Sequence, residues 1–187
     1  MGDDRYVVTV SGPPGSGTST LAEHLVDRRG YELLSGGDAF RALAAERGMT
    51  LQELITLAEE DSSVDRELDS WLEEEMVTHL SGERDSDTKI LVVESRLAGW
   101  FAPEDAFRVW IDAPLPVRAS RINDRDETIE ELKERENSDA ARYKQYYDID
   151  VTSRQIYDLV LNTESIASDD VASAVLKALD AAFGEAA

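Results

Sequence analysis

The sequence predicts an α/β fold of three layers, a parallel sheet held between helices. Three observations predict it. Short apolar runs alternate with segments of helical spacing along the whole chain. A glycine-rich turn separates the first apolar run from the first helix. Polar, arginine-bearing turns directly follow later runs, at the strand ends where such sheets collect ligands.

The first predicted strand is Tyr6–Val10. It leads into Ser11-Gly12-Pro13-Pro14-Gly15-Ser16-Gly17-Thr18-Ser19-Thr20 and then a helix marked by Leu21, Leu25 and Val26. Strand, glycine turn and helix are the context of a phosphate-binding loop, whose backbone N–H groups and helix dipole attract an anion. Gly12 and Gly17 have the spacing of G-x-x-x-x-G-K-[ST], and Ser19 takes the place that holds Mg²⁺. Thr18 stands where the motif has lysine.

The second predicted strand is Tyr31–Leu34, followed by Ser35-Gly36-Gly37-Asp38. Asp38 suits a helix cap. Arg41 lies one turn into the next helix, either exposed or clamping a phosphate with its planar guanidinium. Helical spacings follow at Phe40, Leu43 and Ala44, at Leu51, Leu54, Ile55 and Ala58, and at Val64, Leu68, Trp71, Leu72 and Met76. That is more than one crossover needs, so this stretch is expected to form a subdomain.

The third strand is Ile90–Val93. Glu94 after it stands where a carboxylate would hold Mg²⁺ or its water shell, and Arg96 lies just past the same strand end. Trp100 and Phe101 would line a base or cap the core. The fourth strand is Val109–Ile111, with a possible start at Phe107, and the fifth is Leu159–Leu161. Between them come helical segments at Val117–Ile122 and Ile129–Tyr146, with a last helix at Val171–Phe183. Arg118, Arg121 and Arg125 would share one helix face, and Arg135, Asp139 and Arg142 another. Ten of the nineteen basic residues lie from Arg96 to Arg154. Some should pair with Asp124, Glu131, Glu134 or Glu136; together they also suit a lid over phosphates.

Composition bounds the function. The chain has 187 residues, enough for one domain with a full core, and 42 % hydrophobic residues. Nineteen basic against forty acidic residues give a net charge of −21. Such a chain should repel nucleic acid and anionic membranes. The charge serves solubility and also suits a salt-rich cytoplasm, where repulsion is screened. There is no cysteine, which excludes a disulfide, a thiolate metal site and a Cys nucleophile. No apolar run is long enough to span a bilayer and no leader is apparent, so a cytoplasmic protein is expected. His24 and His79 lack metal-ligand spacing and read as structural or surface residues, and no G-x-S-x-G is present.

Together these stretches resemble the nucleoside monophosphate kinases, most closely the archaeal type of cytidylate kinase. The resemblance rests on SGPPGSGTST, SGGDAFRALAAERGMTLQEL, LVVESRLAGW, the RExxDxxR of Arg135–Arg142 with ARYKQYYDID after it, and IYDLVLNT. It covers nearly the whole chain, and a lysine-free loop with Thr is a recurrent variant there. It implies a P-loop NTPase fold with a five-stranded parallel sheet in 2-3-1-4-5 order. The core would be 1–36, 88–117 and 156–187, the monophosphate-binding insert about 37–80 and the lid about 118–150. It implies transfer of the ATP γ-phosphate to CMP or dCMP with Mg²⁺, in pyrimidine nucleotide metabolism, by a monomer.

By matching position, Gly12, Pro13, Pro14, Gly15, Ser16, Gly17, Thr18, Ser19 and Thr20 would hold the donor phosphates, with Arg121 near the donor's adenine or phosphates. Ser35, Asp38, Arg41 and Arg96 would bind the acceptor, and Asp139 would help recognise cytidine. Arg96, Arg135 and Arg142 would act on the transferring group, and Ser19 and Glu94 would hold the metal. Ser95 replaces the more usual Gly, and Arg154 has no counterpart role.

Overall fold

The five strands form one parallel sheet in the order β2-β3-β1-β4-β5. The computed structural model describes residues 4–122 and 128–184. In chain order these form β1 (Tyr6–Ser11), α1 (Thr18–Arg29), β2 (Glu32–Ser35), α2 (Gly36–Glu46), α3 (Leu51–Glu60), α4 (Ser62–Ser81), β3 (Ile90–Glu94) and α5 (Ala98–Phe101). Then come β4 (Phe107–Asp112), α6 (Leu115–Arg121), α7 (Ile129–Tyr147), β5 (Leu159–Asn162) and α8 (Ser168–Phe183). The expected elements all occur, and each strand runs one residue further toward the ligand end than its apolar run. Ladder hydrogen bonds continue past the last apolar side chain, so Ser11, Ser35, Glu94, Asp112 and Asn162 finish their strands.

Strand β1 is central, and its Val7, Val8 and Val10 are fully buried. One face packs Val8, Val10, Val92 and Ile111 on Leu21, Leu25, Val175 and Leu179 of α1 and α8. The other packs Val7, Leu91 and Val93 on Leu72 and Met76 of α4. Strands buried on both faces read as unbroken Val/Ile/Leu runs, which is why they were legible. His79 is buried against the Lys89 carbonyl at 3.2 Å, and Trp100 and Phe101 pack on Leu97, Tyr143 and Ile149. These agree with the structural readings of both histidine and aromatics.

Register then sets the site. Glu94 is opposite Val10 on one side and Ser35 on the other. Gly36 lets the chain pass close by: a β-carbon there would come within 2.9 Å of Ser95 Cβ. Serine at 95 is accommodated by glycine at 36. Arg125 and Asp124, expected on a helix face and in an ion pair, lie outside the described residues.

Candidate active site

The phosphate loop is built by what its glycines permit. Gly15 and Gly17 have φ of 78° and 100°, left-handed values that disfavour any side chain. At Gly12 a β-carbon would meet the Ile111 carbonyl oxygen at 2.3 Å. Gly17 caps α1 without a side-chain acceptor, and the first turn carries no acidic residue. By contrast α3 and α7 are closed by capping boxes, Thr50 with Glu53 and Thr128 with Glu131. The N–H groups opening α1 therefore face an anion site with no competing carboxylate of their own turn.

Two arginines from outside the loop hold its backbone. Arg121 donates to the Ser16 carbonyl at 3.2 Å and to Thr163 Oγ1 and O at 2.9 and 2.6 Å. Arg118, only 6 % exposed, donates to the carbonyls of Pro14 at 2.9 Å and Ala113 at 2.8 Å, and pairs with Glu136 of α7. Arg118 was expected on a helix face with local ion pairs; its partner lies on the next helix.

Glu94 is the hub of the hydroxyl groups. Its Oε1 accepts from Thr18 at 2.7 Å and Ser19 at 3.4 Å, and its Oε2 accepts from Ser35 at 3.1 Å. A carboxylate and hydroxyl oxygens are donors for a hard cation that keeps some water, which fits Mg²⁺. Among the described residues no three His, Cys, Asp or Glu side chains cluster as an all-protein metal cage.

The arginines meet at a second point. Arg96 pairs with Asp139. Arg142 bonds the same carboxylate at 3.0 Å and Asp65 of α4 at 2.7 Å. Burial pushes Asp65 up from the ordinary carboxylate range, and the charge of Arg142 opposes that shift. Four residues later on α4, Asp69 accepts from the Tyr147 hydroxyl at 2.7 Å. Burial dominates there and lifts its carboxyl to about 7, against the lowering effect of that hydrogen bond.

A cleft of about 660 Å³ connects these groups. It is lined by all nine loop residues from Gly12 to Thr20, by Ser35, Arg41, Glu94, Arg96 and Arg121, and by Arg135, Asp139 and Arg142. Asp38 is the exception among the residues expected at the acceptor in not lining the cleft. Its N–H bonds Ser35 Oγ at 3.3 Å and its carboxylate pairs with Arg41 at 2.6 Å, outside the cleft lining. Capping and an i,i+3 pair engage both its ends. Asp139, expected to help recognise cytidine, turns its carboxylate to two guanidinium groups.

Asp65, Asp69, Tyr143 and Thr163 also line or support the cleft without having been singled out. For the aspartates there was a signal: positions 65, 69, 68 and 72 recur at helical spacing, placing two carboxylates on an apolar face. Arg154, unplaced by sequence, stacks on the Trp110 ring at 3.7 Å and reaches Asp112 at 3.4 Å. It pins the segment after α7 to the end of β4.

A model of the "Cytidylate kinase-like family" matches residues 7–165. Cytidylate kinase of Natronomonas pharaonis is 49 % identical over 181 residues, covering 94 % of this chain and 90 % of the relative. That of Methanosarcina mazei is 43 % identical over 185 residues, covering 95 % and 98 %. Among solved structures, shikimate kinase from Acinetobacter baumannii in complex with shikimate superposes with a TM-score of 0.63 at 16 % identity, covering 97 % and 96 % of the two chains. A gluconokinase from Sinorhizobium meliloti 1021 gives 0.59 at 16 %, covering 94 % and 92 %. At such identities these structures speak for the fold alone.

Proposed function

Because the chain belongs to the cytidylate kinase-like family, we propose that it transfers the γ-phosphate of ATP to CMP or dCMP, giving ADP and CDP or dCDP. The observation that carries this reading is the single cleft that holds the glycine loop together with Arg41, Arg96, Arg135 and Arg142.

The acceptor is already an ionised phosphate, so no general base is needed. Catalysis is positioning and neutralisation of charge. The loop N–H groups hold the donor's β- and γ-phosphates, with Arg121 beside the loop on the donor side. Arg41 and Arg96 bind the acceptor phosphate. Arg135 and Arg142, on α7, neutralise charge on the transferring group. Asp139 aligns the Arg96 and Arg142 forks toward the same point. Ser19 and Glu94 would hold Mg²⁺, which would supply neutralisation of the donor's phosphate charge. Residues 37–80 serve as the acceptor-binding insert and 118–150 as the lid.

Thr18 favours a second reading, a nucleotide binder that catalyses weakly. Magnitude argues against it. Loss of one transition-state donor costs ~3–4 kcal/mol. That is about a thousandfold or less at 1.36 kcal/mol per decade. Four arginines in the same cleft can supply that charge, and a mere binder has no use for all of them. We further propose a monomer of a salt-rich cytoplasm. The test is ADP release with Mg-ATP and, separately, CMP, dCMP, UMP, AMP and GMP, in low and molar KCl. Turnover is expected with CMP or dCMP. No turnover with any acceptor at either salt would overturn the enzyme reading.

A further inference from the structure

Helix α6 grips the phosphate loop from outside with two arginines one helical turn apart. Arg118 donates from Nη1 to the Pro14 carbonyl at 2.9 Å, and Arg121 from Nη1 to the Ser16 carbonyl at 3.2 Å. A trans peptide plane sets its N–H opposite its C=O. Each grip therefore turns the next N–H, of Gly15 or Gly17, away from α6. Loop and helix backbones touch there: a β-carbon on Gly15 would meet the Arg118 carbonyl oxygen at 2.6 Å. Arg118 thus fixes the direction of one N–H group that the loop offers to phosphate.

The same guanidinium reaches a second element. Its Nη1 meets Glu136 Oε1 and its Nη2 meets Glu136 Oε2 at 3.2 Å, while its Nε donates to the Ala113 carbonyl at 2.8 Å. Glu136 directly follows Arg135 on α7. The two side chains are 7 % and 26 % exposed, so this is not one of the solvated pairs that contribute little. Leu132 of α7 packs beside them on Ala119 and Ile122. A guanidinium is planar and its fork is rigid, so its bond to Pro14 and its bonds to Glu136 cannot turn independently. Neither Arg118 nor Glu136 lines the cleft, whereas Arg135 does.

We propose that Arg118 and Glu136 are a positioning pair for phosphoryl transfer, holding Arg135 of α7 in register with the N–H groups of the phosphate loop. This rests on the kinase reading above. Transfer needs the donor phosphates and the cation that neutralises them aligned at once. A misplacement of about 1 Å far from the chemistry can cost about a hundredfold. Glutamine at 136 keeps the volume but sets an NH₂ group against one of the guanidinium donors. Arg118 still holds both carbonyls in that variant, so the loop keeps its shape while α7 loses its reference.

The experiment is a double-mutant cycle on kcat with Mg-ATP and CMP, using wild type, Glu136→Gln, Arg135→Ala and the double variant. Assays run at a temperature where circular dichroism shows every variant folded. Glu136→Gln is expected to lower kcat about tenfold. KM for ATP and for CMP should stay within about twofold, since both sites persist. Glu136→Asp, which keeps the charge with a shorter reach, should lie between. In the Arg135→Ala background Glu136→Gln should lower kcat less than about threefold, because the group it positions is gone. Equal losses in both backgrounds overturn the proposal, since a merely structural pair acts additively. Wild-type kcat in Glu136→Gln overturns it as well. If Glu136→Gln does not fold, the cycle with Glu136→Asp decides by the same comparison. No turnover by wild type with any acceptor overturns the kinase reading and the proposal with it.

Discussion

Thr18 Oγ1 donates a 2.7 Å hydrogen bond to Glu94 Oε1. The residue that replaces the loop's lysine thus fastens α1 to the end of β3 and orients the carboxylate proposed to hold the metal. A lysine there would bring charge; threonine brings geometry, and Arg96 with Arg135 and Arg142 of α7 places cations in the same cleft. Thr18→Val should therefore loosen the metal site rather than abolish catalysis. Loss of about 1 kcal/mol is expected for one hydrogen bond. Steady-state rates should fall about fivefold at limiting Mg²⁺ and recover at excess. A loss of more than about a hundredfold that Mg²⁺ does not rescue would contradict this role.

Arg96 pairs with Asp139, which also binds Arg142. Arg96→Ala removes the proposed phosphate ligand and one of two cations from a carboxylate whose side chain is 13 % exposed. We expect kcat/KM to drop by at least ~2 kcal/mol of transition-state stabilisation, about thirtyfold. Arg96→Lys should fall between, keeping charge without the fork. Near-wild-type kinetics of Arg96→Ala would remove it from the site.

Arg118 ties the loop, the start of α6 and Glu136 of α7 together. Its side chain is 7 % exposed and that of Glu136 26 %. Arg118→Met leaves a partly buried carboxylate and two carbonyls unpaired, a loss of about 3 kcal/mol in unfolding free energy. Urea unfolding would measure it. A change below about 1 kcal/mol would show that the network is not structural.

Two buried groups pull stability in opposite directions with pH. Burial holds the imidazole of His79 below its ordinary 6.5, so the folded protein binds that proton less well than the unfolded chain. Its contribution is present above 6.5 and lost as pH falls below it. Asp69 is raised from 3.8 to about 7, so its contribution is present below 3.8 and lost as pH rises through about 7. Against wild type, His79→Gln should flatten the acid side of the stability profile between pH 5 and 6.5. Asp69→Asn should raise stability at pH 8 more than at pH 4. Parallel profiles for wild type and variants would contradict both shifts.

With a net charge of −21, unfolding free energy should rise as KCl screens self-repulsion. Equal stability at 0.05 M and 2 M KCl would remove salt adaptation as the reason for the charge.

The arginines that line the cleft were legible where a motif framed them. Arg96 directly follows a strand, and the Arg135, Asp139 and Arg142 spacing marks one helix face. A turn aspartate such as Asp38 reads the same whether it neighbours a helix cap or meets a ligand. Asp65 and Asp69 were passed over because helical spacing was used there to find core residues. Arg118 was expected on a helix face and Glu136 among the ion-pair partners, but which arginine meets Glu136 was not legible, and Arg154 could not be placed, since Trp110 is remote in sequence.

The sequence by itself determined the α/β alternation, the phosphate loop and the strand-end residues. Apolar period, glycine position and strand length are local properties, and the backbone obeys them locally. Which side chains face one another across the cleft was decided by the tertiary structure. The α4 and α7 helices are far apart in sequence and meet only in the tertiary fold, so their packing turns Asp65 toward Arg142 and Asp69 toward Tyr147. Burial then makes one carboxyl an ion-pair partner and the other a group that titrates near neutrality.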